Sequence, residues 1–137
     1  MKIIALKGPG SSGKSTTLNL VYDELISLGA KVLIPKSALG NPKQRDFECI
    51  LEYASKKIAF YTMGDFSSKT IEAIDKYSNS LCDVLILATN DKFVKPTAKI
   101  LTFTNNHIES KTIAIPKNLI NIDTANNADK NAIIKNI

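Results

Sequence analysis

Between Gly8 and Thr16 the chain reads GPGSSGKST, and two phosphate-binding spacings overlap there. Gly8, Gly10 and Gly13 repeat G-x-G-x-x-G, a turn that lets backbone approach the pyrophosphate of a dinucleotide. Gly8, Gly13, Lys14 and Ser15 repeat G-x-x-x-x-G-K-[ST], a loop that wraps the phosphate tail of a nucleoside triphosphate. In both, backbone N–H groups and the positive end of a helix meet the anion. The residues further along the chain separate the two. A dinucleotide site needs a carboxylate about twenty positions on, at the end of the second strand, to hold a ribose hydroxyl. Here that segment reads LIPKSAL, with no acid, and Lys36 would suit only a phosphorylated ribose.

The triphosphate spacing uses every residue. Gly8, Gly10 and Gly13 let the chain close around the β-phosphate. Lys14 sets a compact cation against the β and γ oxygens, and the Ser15 hydroxyl can ligate Mg²⁺. Thr16 sits one residue into the helix, within reach of the α-phosphate. A second component is then expected, a carboxylate at the end of a buried strand beside the first. Asp65 closes the apolar run IAFYTMGD and fits, holding Mg²⁺ directly or through water. Capping of the following helix is the plainer role for the same residue.

Other polar residues carry less. Asp91 follows a buried strand, on the sheet edge where open α/β folds bind ligands and could touch a base or an acceptor, but it reads first as a surface-loop carboxylate. The segment ATNDK holds the letters of a guanine-reading loop in the wrong order, so ATP is expected over GTP. His107, between Asn106 and Ile108, has no evident partner for acid–base work.

The elements that must position these residues emerge from periodicity. KIIALK is an apolar first strand ending at Gly8. Leu18, Val21, Tyr22, Leu25 and Leu28 then recur at helical spacing, Gly29 closes the helix, and KVLIP forms a second strand. That strand–helix–strand unit predicts parallel pairing of the two strands. Pro35 to Arg45 reads as loop. DFECILEY alternates as a strand with one wetter face, and ASKK turns it into IAFYTMGD, so the pair predicts a hairpin added at the sheet edge. A helix from Ser67 or Ser68 to about Ser80, a strand DVLILATN, a short helix around Pro96, a last strand KTIAIP and a helix from Thr124 complete the pattern. Alternating strands and helices predict a single α/β domain over 1–137, a three-layer sandwich around a mostly parallel sheet.

Bulk properties narrow the classes. The chain has 137 residues, 44% of them hydrophobic and 23% charged, and a net charge of +5. The lysines are scattered and Arg45 is the one arginine, so a solvated surface is expected rather than a nucleic-acid face. No apolar run is long enough to span a bilayer and KIIAL is too short for a signal-peptide core, which predicts a cytoplasmic protein without a membrane partner. Cys49 and Cys82 have no metal spacing and are expected as reduced core residues.

On Gly8–Ser15 and Asp65 the chain resembles the P-loop NTPase superfamily, and GPGSSGKSTT is most similar to the loops of small nucleotide and small-molecule kinases. The resemblance is sharp over residues 1–30 and architectural beyond. It implies five parallel strands in the order 2-3-1-4-5, with DFECILEY as an antiparallel edge addition. It also implies phosphate contacts from Gly10, Ser11, Ser12, Gly13, Lys14, Ser15 and Thr16, and metal roles for Ser15 and Asp65. Lys14 and Asp65 would carry catalysis with ATP and Mg²⁺, and Lys36–Asp46 would face the acceptor. Kinases of this type carry lid arginines where this chain has Lys92, Lys95 and Lys99. Three functions stay open: phosphotransfer to an unknown small molecule, ATP hydrolysis coupled to a protein partner, and nucleotide sensing without turnover.

Overall fold

The computed structural model describes residues 1–137. Strand β1 spans Lys2–Gly8, helix α1 Lys14–Ser27, β2 Lys31–Ala38, β3 Phe47–Tyr53, β4 Lys56–Tyr61 and α2 Ser67–Asn79. Next come β5 (Val84–Asn90), α3 (Val94–Leu101), β6 (Asn106–Ser110) and α4 (Leu119–Lys135). The architecture is α/β: a six-stranded mixed sheet in the order β2-β3-β4-β5-β1-β6, with four helices.

Burial explains which strands lie inside. In β1 the side chains of Ile3, Ile4, Ala5 and Leu6 are fully buried, and in β5 so are Leu85, Ile86, Leu87 and Ala88. Strands this apolar need cover on both faces, and they pair in parallel from Lys2–Val84 to Gly8–Asn90. One face buries Ile4, Leu6, Phe60 and Ile86 against Leu18, Val21 and Leu25 of α1 and Ile133 of α4. The other buries Ile3, Ala5, Leu85 and Leu87 against Ala73, Ile74 and Tyr77 of α2 and Ile100 of α3. Tyr22 meets Phe47 and Phe60 edge-on at 5.5 and 6.0 Å, which locks α1 over the centre of the sheet.

The expected strand order does not hold. KVLIP, extended to Ala38 as β2, does not pair with β1: it lies at the far edge, antiparallel to β3, with β3, β4 and β5 between. The strand–helix–strand unit therefore has no direct parallel pair. The physical reason is in β2 itself. Pro35 lacks the N–H that an interior ladder requires, the register shifts across Ile34–Ser37, and every residue of the strand is exposed. DFECILEY is antiparallel as expected but interior, because Ala54 and Ser55, both left-handed at φ 52° and 62°, make a tight turn that zips β3 onto β4.

The last strand is also elsewhere. It is NHIES, parallel to β1, while KTIAIP is irregular and leaves Ile113 and Ile115 exposed. An edge strand bonded to β1 by its backbone needs little apolar side chain, so periodicity did not mark it. Helix α4 starts before Thr124, at Leu119, where the Asn118 side chain accepts from the Asn121 N–H at 2.9 Å. Helix α2 begins at Ser67, after Phe66. Cys49 and Cys82 are buried and free, and burial pushes the Cys49 thiol up to about 12. No helix is long and apolar enough to cross a membrane.

Candidate phosphate site at the carboxyl end of the first strand

Strand β1 ends at Gly8, and Pro9–Gly13 carry the chain around into α1. Two residues of the turn are left-handed, Ser11 at φ 55° and Gly13 at φ 91°. A side chain at Gly13 would be strained by that φ and would approach the Asn126 amide oxygen to 3.1 Å. No protein acceptor meets the backbone N–H groups from Gly10 to Thr16, and the first N–H bonded back is that of Thr17, to Gly13. The loop thus presents a row of free donors at the start of a helix of 14 residues, the arrangement that favours an anion.

Lys14 lies inside this curve, 8% exposed. Its Nζ donates to the carbonyls of Gly8 at 3.0 Å and Pro9 at 2.6 Å. Burial lowers its pKa from the ordinary lysine value, while the charges of Asp65, Asp91 and Asp46 oppose that shift. The ammonium is poised under the loop without a carboxylate in ion-pair contact.

The Ser15 hydroxyl donates to the carboxylate of Asp46. Thr62, just past β4, donates to the same oxygen at 3.2 Å. Asp46 is 5% exposed, and burial raises its pKa although both hydroxyl bonds pull the other way. Its second oxygen has no protein donor. Asp65 faces the same space but is exposed and makes no side-chain hydrogen bond. Strand β4, which leads to it, is separated from β1 by β5, so the expected adjacency to the first strand is absent. Gly64 brings that segment in: a Cβ there would lie 2.9 Å from the Ala88 carbonyl carbon and oxygen, so only glycine lets the chain cross the end of β5.

Two cavities flank the loop and share Ser11, Ser12 and Gly13. The first, of about 240 Å³, is lined by Ser11–Thr16, Gln44, Asp46, Thr62, Gly64 and Asp65, without one apolar side chain. The second, of about 320 Å³, runs from Pro9–Gly13 to Lys111–Ala114, Lys117, Ile122, Ala125 and Asn126. Its floor is held by a buried cluster. Lys111 and Asp129, with side chains 1% and 2% exposed, pair at 2.9 Å, and Asp129 also accepts from the Thr112 N–H and hydroxyl at 2.8 and 2.6 Å. Asn126, 4% exposed, touches the Thr17 hydroxyl at 3.2 Å and has no protein acceptor for its amide nitrogen.

Of the residues singled out in the sequence, Ser11 to Thr16 and Asp65 line the first cavity, while Gly10 lines only the second, across the loop. Gly8 ends the strand beneath it, where its carbonyl also accepts the Asp91 N–H at 3.1 Å. Lys92 and Lys95 are exposed, Lys99 pairs with Asp75 at 2.7 Å, and His107 pairs with Glu109 at 2.8 Å in the middle of β6. Sequence reasoning did not place Asp46, Lys111 and Asn126 beside the loop. Asp46 stands at the mouth of an alternating strand, and nothing local marks it as the partner of Ser15. Lys111 and Asn126 reach the loop only through the placement of β6 and α4. No protein-family model, curated protein or solved structure matches the chain, so the site is read from its own geometry.

Proposed function

We propose that the chain is a P-loop nucleotide-binding protein that takes Mg–ATP on the 9–16 loop and acts as a kinase-like phosphotransferase on a small molecule. The observation that carries this is the row of unpartnered N–H groups from Gly10 to Thr16 closing over the buried Lys14 ammonium. A triphosphate tail satisfies those donors, and Lys14 turns from the Gly8 and Pro9 carbonyls to its oxygens. The two cavities suit the two ends of a nucleotide. The polar one takes the β- and γ-phosphates, and the one walled by Pro9, Ile113, Ala114, Ile122 and Ala125 takes the nucleoside.

The metal fits this donor set. The Ser15 hydroxyl, the free oxygen of Asp46 and, across the cavity, Asp65 are hard oxygen ligands of the kind Mg²⁺ prefers. No group of three His, Cys, Asp or Glu side chains could hold a metal alone. The ion would arrive with the nucleotide and supply charge neutralisation at the β and γ oxygens. ATP is favoured over GTP because no carboxylate lines the nucleoside cavity to accept from guanine, and Asp129 below it is already engaged. The dinucleotide alternative loses its geometry, since β2 and Lys36 lie across the sheet from β1. In this proposal the fold is a three-layer α/β/α sandwich, supported by α1 and α4 packing on one face of the sheet and α2 and α3 on the other.

A second reading, ATP hydrolysis coupled to a partner, is favoured by one observation. Ile113, Ile115, Leu119 and Ile120 are exposed by 51%, 86%, 76% and 76%, and Ile113 among them lines the nucleoside cavity, which leaves apolar surface for a partner. Thermal shift with ATP, GTP, NAD and NADP, each with and without Mg²⁺, tests the proposal. Stabilisation is expected with ATP, larger with Mg²⁺ and smaller with GTP. Stabilisation by NAD or NADP alone contradicts it.

A further inference from the structure

The face that α4 turns inward carries Ala125, Asn126, Asp129 and Ile133, all buried. Its two polar residues differ in how far the protein satisfies them. Asp129 is fully engaged by Lys111 and by the N–H and hydroxyl of Thr112. Asn126 is not. Its one protein contact is the Thr17 hydroxyl at 3.2 Å, and that hydroxyl has a single proton, for which the Gly13 carbonyl at 2.8 Å competes. The other end of the amide meets no protein partner, although the residue is only 4% exposed. Thr89 Oγ1 is the one side-chain polar atom sealed off without a partner, so the free end of Asn126 is not sealed. The open space beside it is the cavity between the loop and α4, which Asn126 lines.

A buried amide left half-bonded is costly until a ligand completes it. The other polar side chains of this wall are less suited to read a base. Lys111 and Thr112 are bonded to Asp129, and Ser12 to the Pro9 carbonyl. Asn126 alone offers a donor and an acceptor side by side in one plane. Adenine presents the matching pair, a 6-amino group next to a ring nitrogen. Guanine puts two acceptors on its major-groove edge, and its 2-amino group needs a carboxylate that this wall lacks. We infer that Asn126 is the base-reading residue of this cavity and selects adenine by a pair of hydrogen bonds from its amide. The inference rests on the nucleotide reading of the loop and adds to it the residue that sets base specificity.

The test is calorimetric titration of the wild type and Asn126→Leu with three Mg–triphosphates: ATP, GTP and purine riboside triphosphate, which lacks the 6-amino group. Leucine keeps the side chain's volume, and Thr17 keeps its bond to the Gly13 carbonyl. Asn126→Ala is read in the same way should the leucine variant fail to fold. The wild type is expected to bind ATP at least about tenfold more tightly than either of the others. In Asn126→Leu the loss should fall on ATP, which then binds like purine riboside triphosphate. An asparagine that only braces α4 against α1 would weaken every triphosphate equally and leave the preference for ATP in place. That result overturns the inference, as does a wild type that binds ATP and purine riboside triphosphate alike; both leave the nucleotide reading standing. A wild type that binds no triphosphate sinks the nucleotide reading and this inference with it.

Discussion

Replacing Lys14 with alanine is expected to weaken Mg–ATP binding by about 100-fold or more without lowering the stability of the free protein. The loss comes from removing the only cation enclosed by the loop, whose charge-assisted bonds to phosphate oxygens contribute about 3 kcal/mol together. The stability half comes from burial. The Lys14 ammonium is 8% exposed, and its pKa is lowered chiefly by desolvation. A lowered folded-state value means that the unfolded chain holds this proton more tightly, so stability rises with pH as the ordinary lysine value is approached from below. At neutral pH the charge works against the fold, and alanine removes that cost. Calorimetric titration of ATP with thermal unfolding of both proteins checks the pair of effects. The same shift predicts that nucleotide affinity in the wild type begins to fall below the ordinary lysine pKa of 10.5.

The second large effect concerns Asp46. In Asp46→Asn the acceptor oxygen for Ser15 and Thr62 remains while the buried charge is gone. Burial holds the Asp46 carboxyl above its ordinary value of 3.8, so the folded state binds that proton more tightly than the unfolded state does. Stability contributed by the protonated form is therefore full below the ordinary value and is lost as pH rises through the raised one. Asp46→Asn should match the wild type in acid and exceed it at neutral pH, as read by thermal unfolding across that range. The cost should fall on the metal instead, with the gain in ATP affinity on adding Mg²⁺ dropping at least about tenfold. A variant less stable than the wild type at neutral pH with its Mg²⁺ response intact would contradict this role.

How much of this the chain displays locally differs from residue to residue. The loop was legible because its chemistry is contiguous: Gly8 to Thr16 carry glycines, a cation and hydroxyls at a spacing that needs no distant partner. Strands β1 and β5 and helix α1 were legible because their burial is uniform or periodic. The sheet order was not, because it turns on Pro35, which bars β2 from the interior, and on the Ala54–Ser55 turn, which commits β3 and β4 to antiparallel pairing, with β2 then added antiparallel to β3. That meander also explains Asp46. Delivered by the antiparallel β3, it arrives beside Ser15 from a direction that an all-parallel order would not supply, while Asp65 ends further out. NHIES and KTIAIP exchanged roles for a related reason. Backbone pairing with β1 selected the polar segment, and the apolar one was left to wall a cavity.

In the proposed complex the backbone of the 9–16 loop itself grips the triphosphate. A ¹⁵N amide titration of the wild type with Mg–ATP, set beside adenosine alone, reads that grip residue by residue. The largest shifts are expected on Gly10 to Thr16 with Mg–ATP, and none there with adenosine. Mg–ATP binding that leaves those amides unmoved, or adenosine that moves them equally, would contradict it.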